Sequence, residues 1–185
     1  FIGLLLSNVV VSIEIHSKAY FRNVLSPVSS FLFIFSLFLT TFIIIFVEIF
    51  LLFLILDFFF GINIFVDFWM LFMIITHLLI IFILLGMIFS YLFDSEQVSV
   101  LISTFTIIFI FLLSNIIVPV EVMPEIMGNI ISLSPLVLGE SMIRKMFFFG
   151  GSYLDLTNFY YYYYYMVFLM FLLYLVSRLR NKKIF

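Results

Sequence analysis

The chain has 185 residues, 66% of them hydrophobic and 10% charged, with a mean hydropathy of +1.40. Apolar runs of about 18 residues or more recur, which excludes a soluble domain and gives a polytopic α-helical membrane protein. The net charge of −2 argues against nucleic acid as a partner, and the absence of cysteine excludes disulfides and thiolate metal sites.

Phe1 to Ile13 is apolar, about 20 Å as a helix against roughly 30 Å of hydrocarbon. It reads as the end of a spanning helix whose beginning lies upstream of Phe1. Glu14 to Ser30, EIHSKAYFRNVLSPVSS, is more polar. Lys18 and Arg22 put it in the cytoplasm by the positive-inside rule. Ala19, Tyr20, Phe21, Val24 and Leu25 offer one apolar side opposite Glu14, Lys18, Arg22 and Asn23, and Ser26-Pro27 ends the pattern. The segment is either a short amphipathic helix at the inner interface or a simple inter-helix loop.

A first complete span is predicted over 31–56, running outward. Asp57 to Asp67 turns at Gly61-Ile62-Asn63, and Trp69 marks the outer interface. The next span, 68–93, returns inward to a tight turn at Asp94-Ser95-Glu96-Gln97. A third, 98–118, carries Ser103, Thr104, Thr106, Ser114 and Asn115, small polar side chains that suit contacts between membrane helices.

The following stretch changes character. Pro119, Pro124 and Pro135 interrupt any continuous helix, because each lacks a donor and clashes with the preceding turn. The segment stays apolar while carrying Glu121, Glu125 and Glu140. Irregular backbone at membrane depth survives only under protein or water cover, so 119–149 reads as two short re-entrant helices on the outer side. A last span over 156–176 leads to a basic cytoplasmic tail, 177–185. Its six consecutive tyrosines, Tyr160 to Tyr165, form an aromatic belt and point every way around a helix. Of the 8 basic residues, only Arg144 and Lys145 fall outside, so charge supports the same alternation.

The fold class is therefore all-α: four complete spans plus the end of a fifth, with a re-entrant pair before the last span, in one transmembrane domain over 1–185. No HExxH, GxSxG or phosphate-cradling glycine loop occurs, so no hydrolase, metal or nucleotide site can be assembled. Glu48 and His77 are the ionisable residues at membrane depth. They fit either a proton or substrate relay or neutral, paired groups at helix contacts.

Two motifs carry a resemblance. Ser114, Pro119, Met123 and Pro124, then Ser134-Pro135 and Arg144, resemble the S-x-x-x-x-P-x-x-x-M-P and N-P or S-P elements in the membrane subunit of type-2 ABC exporters. Glu14, Arg22 and Ser26-Pro27-Val28 resemble that family's cytoplasmic element before a span. The resemblance implies a permease that forms a substrate path beside a second permease chain. It implies that ATP and Mg bind a separate ATPase subunit, with no cofactor and no catalytic residue on this chain. Glu14, Lys18, Tyr20, Phe21, Arg22, Ser26 and Pro27 would form the coupling helix that docks on the ATPase. Pro119, Glu121, Met123, Pro124, Glu125 and Pro135 would belong to the re-entrant exit gate. The location implied is the plasma membrane, with the C-terminus cytoplasmic. The alternative class is a subunit of a respiratory or other membrane complex without transport activity of its own.

Overall fold

The computed structural model describes residues 1–17, 29–60, 68–117, 122–149 and 157–184. Among these residues it is all-helical, in the order α1 (Ile2–His16), α2 (Ser30–Phe60), α3 (Phe68–Leu92), α4 (Glu96–Leu112), α5 (Glu125–Ser132), α6 (Pro135–Phe149) and α7 (Thr157–Ile184). Three of these, in α2, α3 and α7, are long and apolar enough to cross a membrane, or four crossings if the bent α5–α6 pair counts as one. Of the four expected spans, 31–56, 68–93 and 156–176 fall on these long helices, and 98–118 falls on α4, a shorter apolar helix.

α4 is where the expected boundaries shift most. It has 17 residues, roughly 25 Å, and leaves the helical path at Leu112 rather than continuing to residue 118. The Ser114 hydroxyl donates to the Phe111 carbonyl at 2.6 Å, and the Ile117 amide turns back to Ser114 O. Pro119 bars any return to the helical path, since it has no N–H for the carbonyl of Asn115 and disfavours helix at residue 118. At its other end α4 starts cleanly, with Ser95 accepting from the Val98 amide and Glu96 in the positive first turn. α7 continues to Ile184 instead of ending at Val176, since Arg, Leu and Lys all propagate helix well.

α3 is the central element, packing against α1, α2, α4, α6 and α7. Its apolar stretch is 56% buried, against 11% for α2 and 22% for α7. Lipid is as apolar as leucine, so hydrophobicity does not drive these helices together; close backbone approach and hydrogen bonding do. The α1–α3 contact shows how. Leu4 and Ser7 on α1 face Gly86 on α3, and a Cβ on Gly86 would overlap both Ser7 Oγ and the Leu4 carbonyl oxygen, while Gly3 packs on Leu79 and Ile83 of α3. Around this crossing Leu4, Val11, Ile74, Ile81, Ile83 and Met87 are completely or almost completely buried.

Candidate functional site

The buried polar residues gather where α1, α3 and α4 meet. Asn8, fully buried, donates from Nδ2 to Ser103 Oγ at 2.5 Å and to Ser99 Oγ at 2.8 Å, while Ser99 Oγ lies 3.0 Å from Asn8 Oδ1. Ser12 Oγ also reaches Asn8 Oδ1, at 3.3 Å. Ser12 and Ser90 share a hydroxyl hydrogen bond of 2.8 Å, and Ser90 Oγ donates to the Asn8 carbonyl. Ser12, Ser90, Ser99 and Ser103 are all fully buried. The Asn8 carboxamide therefore ties α1 to α4, while its backbone carbonyl and Ser12 tie α1 to Ser90 of α3, in an interior where such groups bond across helices. Of the small polar residues expected at helix contacts, Ser103 belongs here, whereas Thr104 and Thr106 bond back to their own helix at Val100 O and Ile102 O.

A second polar junction closes the end of the bundle at which α1 and α3 finish. Arg180 Nη1 donates to the carbonyls of Ser90, Tyr91 and Phe93, at 3.2, 3.3 and 2.9 Å. Ser90 and Tyr91 are among the last four residues of α3, whose carbonyls have no partner within their helix, and Phe93 is the first residue beyond it. Arg180 Nη2 approaches His16 Nε2 at 3.2 Å, and the same nitrogen lies 2.8 Å from Asp94 O; His16 Nδ1 lies 2.8 Å from Ser12 O. The end of α1, the turn between α3 and α4, and α7 are thus clasped through one guanidinium and one imidazole. The half-buried Glu14 lies one turn before this clasp. The other expected coupling residues, Lys18, Tyr20, Phe21, Arg22, Ser26 and Pro27, lie outside the described residues.

At the opposite end α5 and α6 meet at an angle of 82°. Pro135 opens α6, at the position where a missing N–H costs least. Leu133 and Ser134 close the preceding turn through amides to Ile130 and Ile131. Carbonyls at this corner find partners on α7: Tyr165 Oη donates to Leu133 O at 2.7 Å, and the fully buried Tyr162 donates to Pro135 O at 3.1 Å. Gly139 lets α6 come this close, since a Cβ there would stand 2.5 Å from Leu78 Cδ1 and 2.8 Å from Tyr162 Oη. Two of the six tyrosines therefore hold the corner of the broken segment, while Tyr160, Tyr161, Tyr163 and Tyr164 are exposed. Glu140 accepts from Arg144 at 2.6 Å and more loosely from Asn115 at 3.5 Å, tying α6 to the turns that follow α4; its Oε2 is buried with no hydrogen-bond partner among the described residues. Pro124 and Glu125 start α5 as exposed residues and Met123 is half-buried before them. Pro119 and Glu121 lie outside the described residues.

The two ionisable residues at membrane depth are not brought together. His77 bonds the Met73 carbonyl of its own helix at 2.7 Å and is ringed by Phe159, Tyr162 and Tyr163, with centroids 5.4–5.9 Å away. Glu48 is exposed and borders a separate apolar recess between α1, α2 and α3. Among the described residues no group of His, Asp or Glu could hold a metal ion.

Sequence reasoning missed Asn8, Ser12, Ser90, Ser99 and the roles of Tyr162, Tyr165 and Arg180. An asparagine in an apolar run, with Gly-xxx-Ser pairs on two helices, was the available signal for the first three. The model of the ABC-2 type transporter family matches residues 1–148. No curated protein and no solved structure matches the chain.

Proposed function

The chain belongs to the ABC-2 type transporter family, and from that premise we propose that it is the membrane-spanning subunit of an exporter driven by a separate ATPase. It is a permease and a membrane component; hydrolysis of ATP, with its Mg, belongs to the partner subunit. The ATPase docks on the segment 14–30, through Glu14, Lys18, Tyr20, Phe21, Arg22, Ser26 and Pro27, on the cytoplasmic side. The proline-broken segment then lies at the outer side, as the exit gate.

The observation that carries this reading is the Asn8 junction. α1 runs straight into the segment 14–30, and Asn8 binds it to Ser99 and Ser103 of α4, while His16 and Arg180 clasp its end. A displacement delivered at residues 14–30 therefore moves α1 and α4 together, and α4 leads directly into the broken segment. Nucleotide can shift the equilibrium only through contacts that differ between the two states; the docking segment supplies them. The side of α4 turned away from Asn8 carries Leu101, Phe105, Ile108 and Phe109, all exposed. This face receives the second permease chain, with the substrate path between the two.

The test is reconstitution with the ATPase. Arg22→Glu and Tyr20→Pro are expected to abolish transport while nucleotide hydrolysis persists, which is uncoupling. Unchanged transport in both variants would remove this segment from the mechanism.

A further inference from the structure

Arg178 and Arg180 stand two residues apart on α7 and meet different surroundings. Arg180 is occupied by the final carbonyls of α3. Arg178 is exposed, and among the described residues its hydrogen bond is the one that Nη1 donates to Tyr174 Oη at 3.5 Å, with no carboxylate paired to it. This unpaired cation sits at the mouth of a groove of about 520 Å³ between α2 and α7, with Leu84 of α3 as its floor. One wall is a ladder of stacked rings on α2, in which Phe35 and Phe38 have centroids 6.4 Å apart. Met170 of α7 lines the deeper part. From Arg178 to Met170 is a little over two helical turns, roughly 12 Å along the axis of α7.

The geometry points to a binding site for an anionic phospholipid, its phosphate against Arg178 and the Tyr174 hydroxyl and one acyl chain along Phe35, Phe38, Leu84 and Met170. Charge selects the headgroup: among the described residues the one charged side chain lining the groove is a cation, and a basic group between membrane helices at the interface is a recognised setting for acidic headgroups. Depth selects the tail, because a free phosphate would gain nothing from an aromatic wall extending away from the cation. The volume lies within the range of pockets that enclose small ligands. The groove touches neither α1 nor α4, so the lipid is a fixed ligand of the outer surface rather than cargo. The leaflet, the cytoplasmic one, rests on the orientation proposed above; the site itself does not.

The full chain, reconstituted in vesicles of phosphatidylglycerol and phosphatidylethanolamine and then extracted in mild detergent, is examined by native mass spectrometry for retained lipid. No ATPase is needed, so failure here is separate from failure of the exporter reading. The wild type is expected to retain phosphatidylglycerol in preference. Arg178→Gln should lower that preference about fivefold, the worth of one cation near an acidic surface, and Arg178→Lys should largely restore it. Met170→Trp, at an exposed position that tolerates size, should expel lipid of either headgroup. Equal preference in wild type and Arg178→Gln, full retention by Met170→Trp, or displacement of the lipid by millimolar inorganic phosphate would each overturn the site.

Discussion

Replacing Asn8 with alanine removes the side chain that ties α1 to α4. Its interhelical hydrogen bonds run to Ser99 Oγ and Ser103 Oγ, at 2.5–3.0 Å. Such bonds between membrane helices average about 0.6 kcal/mol and reach about 1.7, so their joint loss amounts to about 2 kcal/mol. The freed serine hydroxyls can turn back to carbonyls of their own helix, which keeps the cost from rising to that of stranded polar groups. For a chain of this size, about 2 kcal/mol corresponds to a fall in Tm of about 4–8 °C. The assay is thermal unfolding in nanodiscs, combined with the double variant Asn8→Ala/Ser103→Ala. Because the residues share one network, the double variant should be less destabilised than the separate effects combined. An unchanged Tm for Asn8→Ala, or strict additivity, would refute the claim that this carboxamide locks α1 to α4.

Other perturbations test the remaining joints. Arg180→Gln leaves the last carbonyls of α3 without their cap and should cost about 1–2 kcal/mol, read as faster amide hydrogen exchange at 93–98; unaltered protection there would argue against the clasp. Tyr165→Phe should loosen the α5–α6 corner by about 1 kcal/mol, seen as a broadened spin-label distance between α5 and α7, whereas Tyr164→Phe, at an exposed position, should leave it unchanged. Glu140→Gln should change stability by less than about 0.5 kcal/mol, because Arg144 is 58% exposed and the pair is an i,i+4 contact; calorimetric or denaturant midpoints would show it. Gly86→Val forces a branched side chain into the Leu4 backbone and should cost about 3 kcal/mol or more, measured as loss of folded protein on size exclusion.

Hydropathy exposed the long helices because a membrane imposes a length and leaves little choice of partner for the backbone. It was equally informative about the break, since Pro119, Pro124 and Pro135 act through local sterics. The exact end of α4 was not legible: Leu113 to Ile117 are as apolar as the helix before them apart from Ser114 and Asn115, and only the hydrogen bonds of those two show the chain turning. The polar junction was hidden for a different reason. Asn8 and Ser12 sit in a run that looks like ordinary membrane helix, and their partners at Ser90, Ser99 and Ser103 lie more than 75 residues away. Nothing local distinguishes Arg178 from Arg180, or Tyr162 and Tyr165 from the four tyrosines around them. That distinction comes from which face of α7 meets α3 and α6.

The orientation on which the exporter reading depends is open to a direct measurement, because the chain has no cysteine of its own. Single variants Glu125→Cys and Glu96→Cys, in intact cells, are treated with a membrane-impermeant maleimide. Labelling of Glu125→Cys from outside, with Glu96→Cys reactive only after permeabilisation, is the expected result. External labelling of Glu96→Cys with Glu125→Cys protected would invert the molecule and contradict the account.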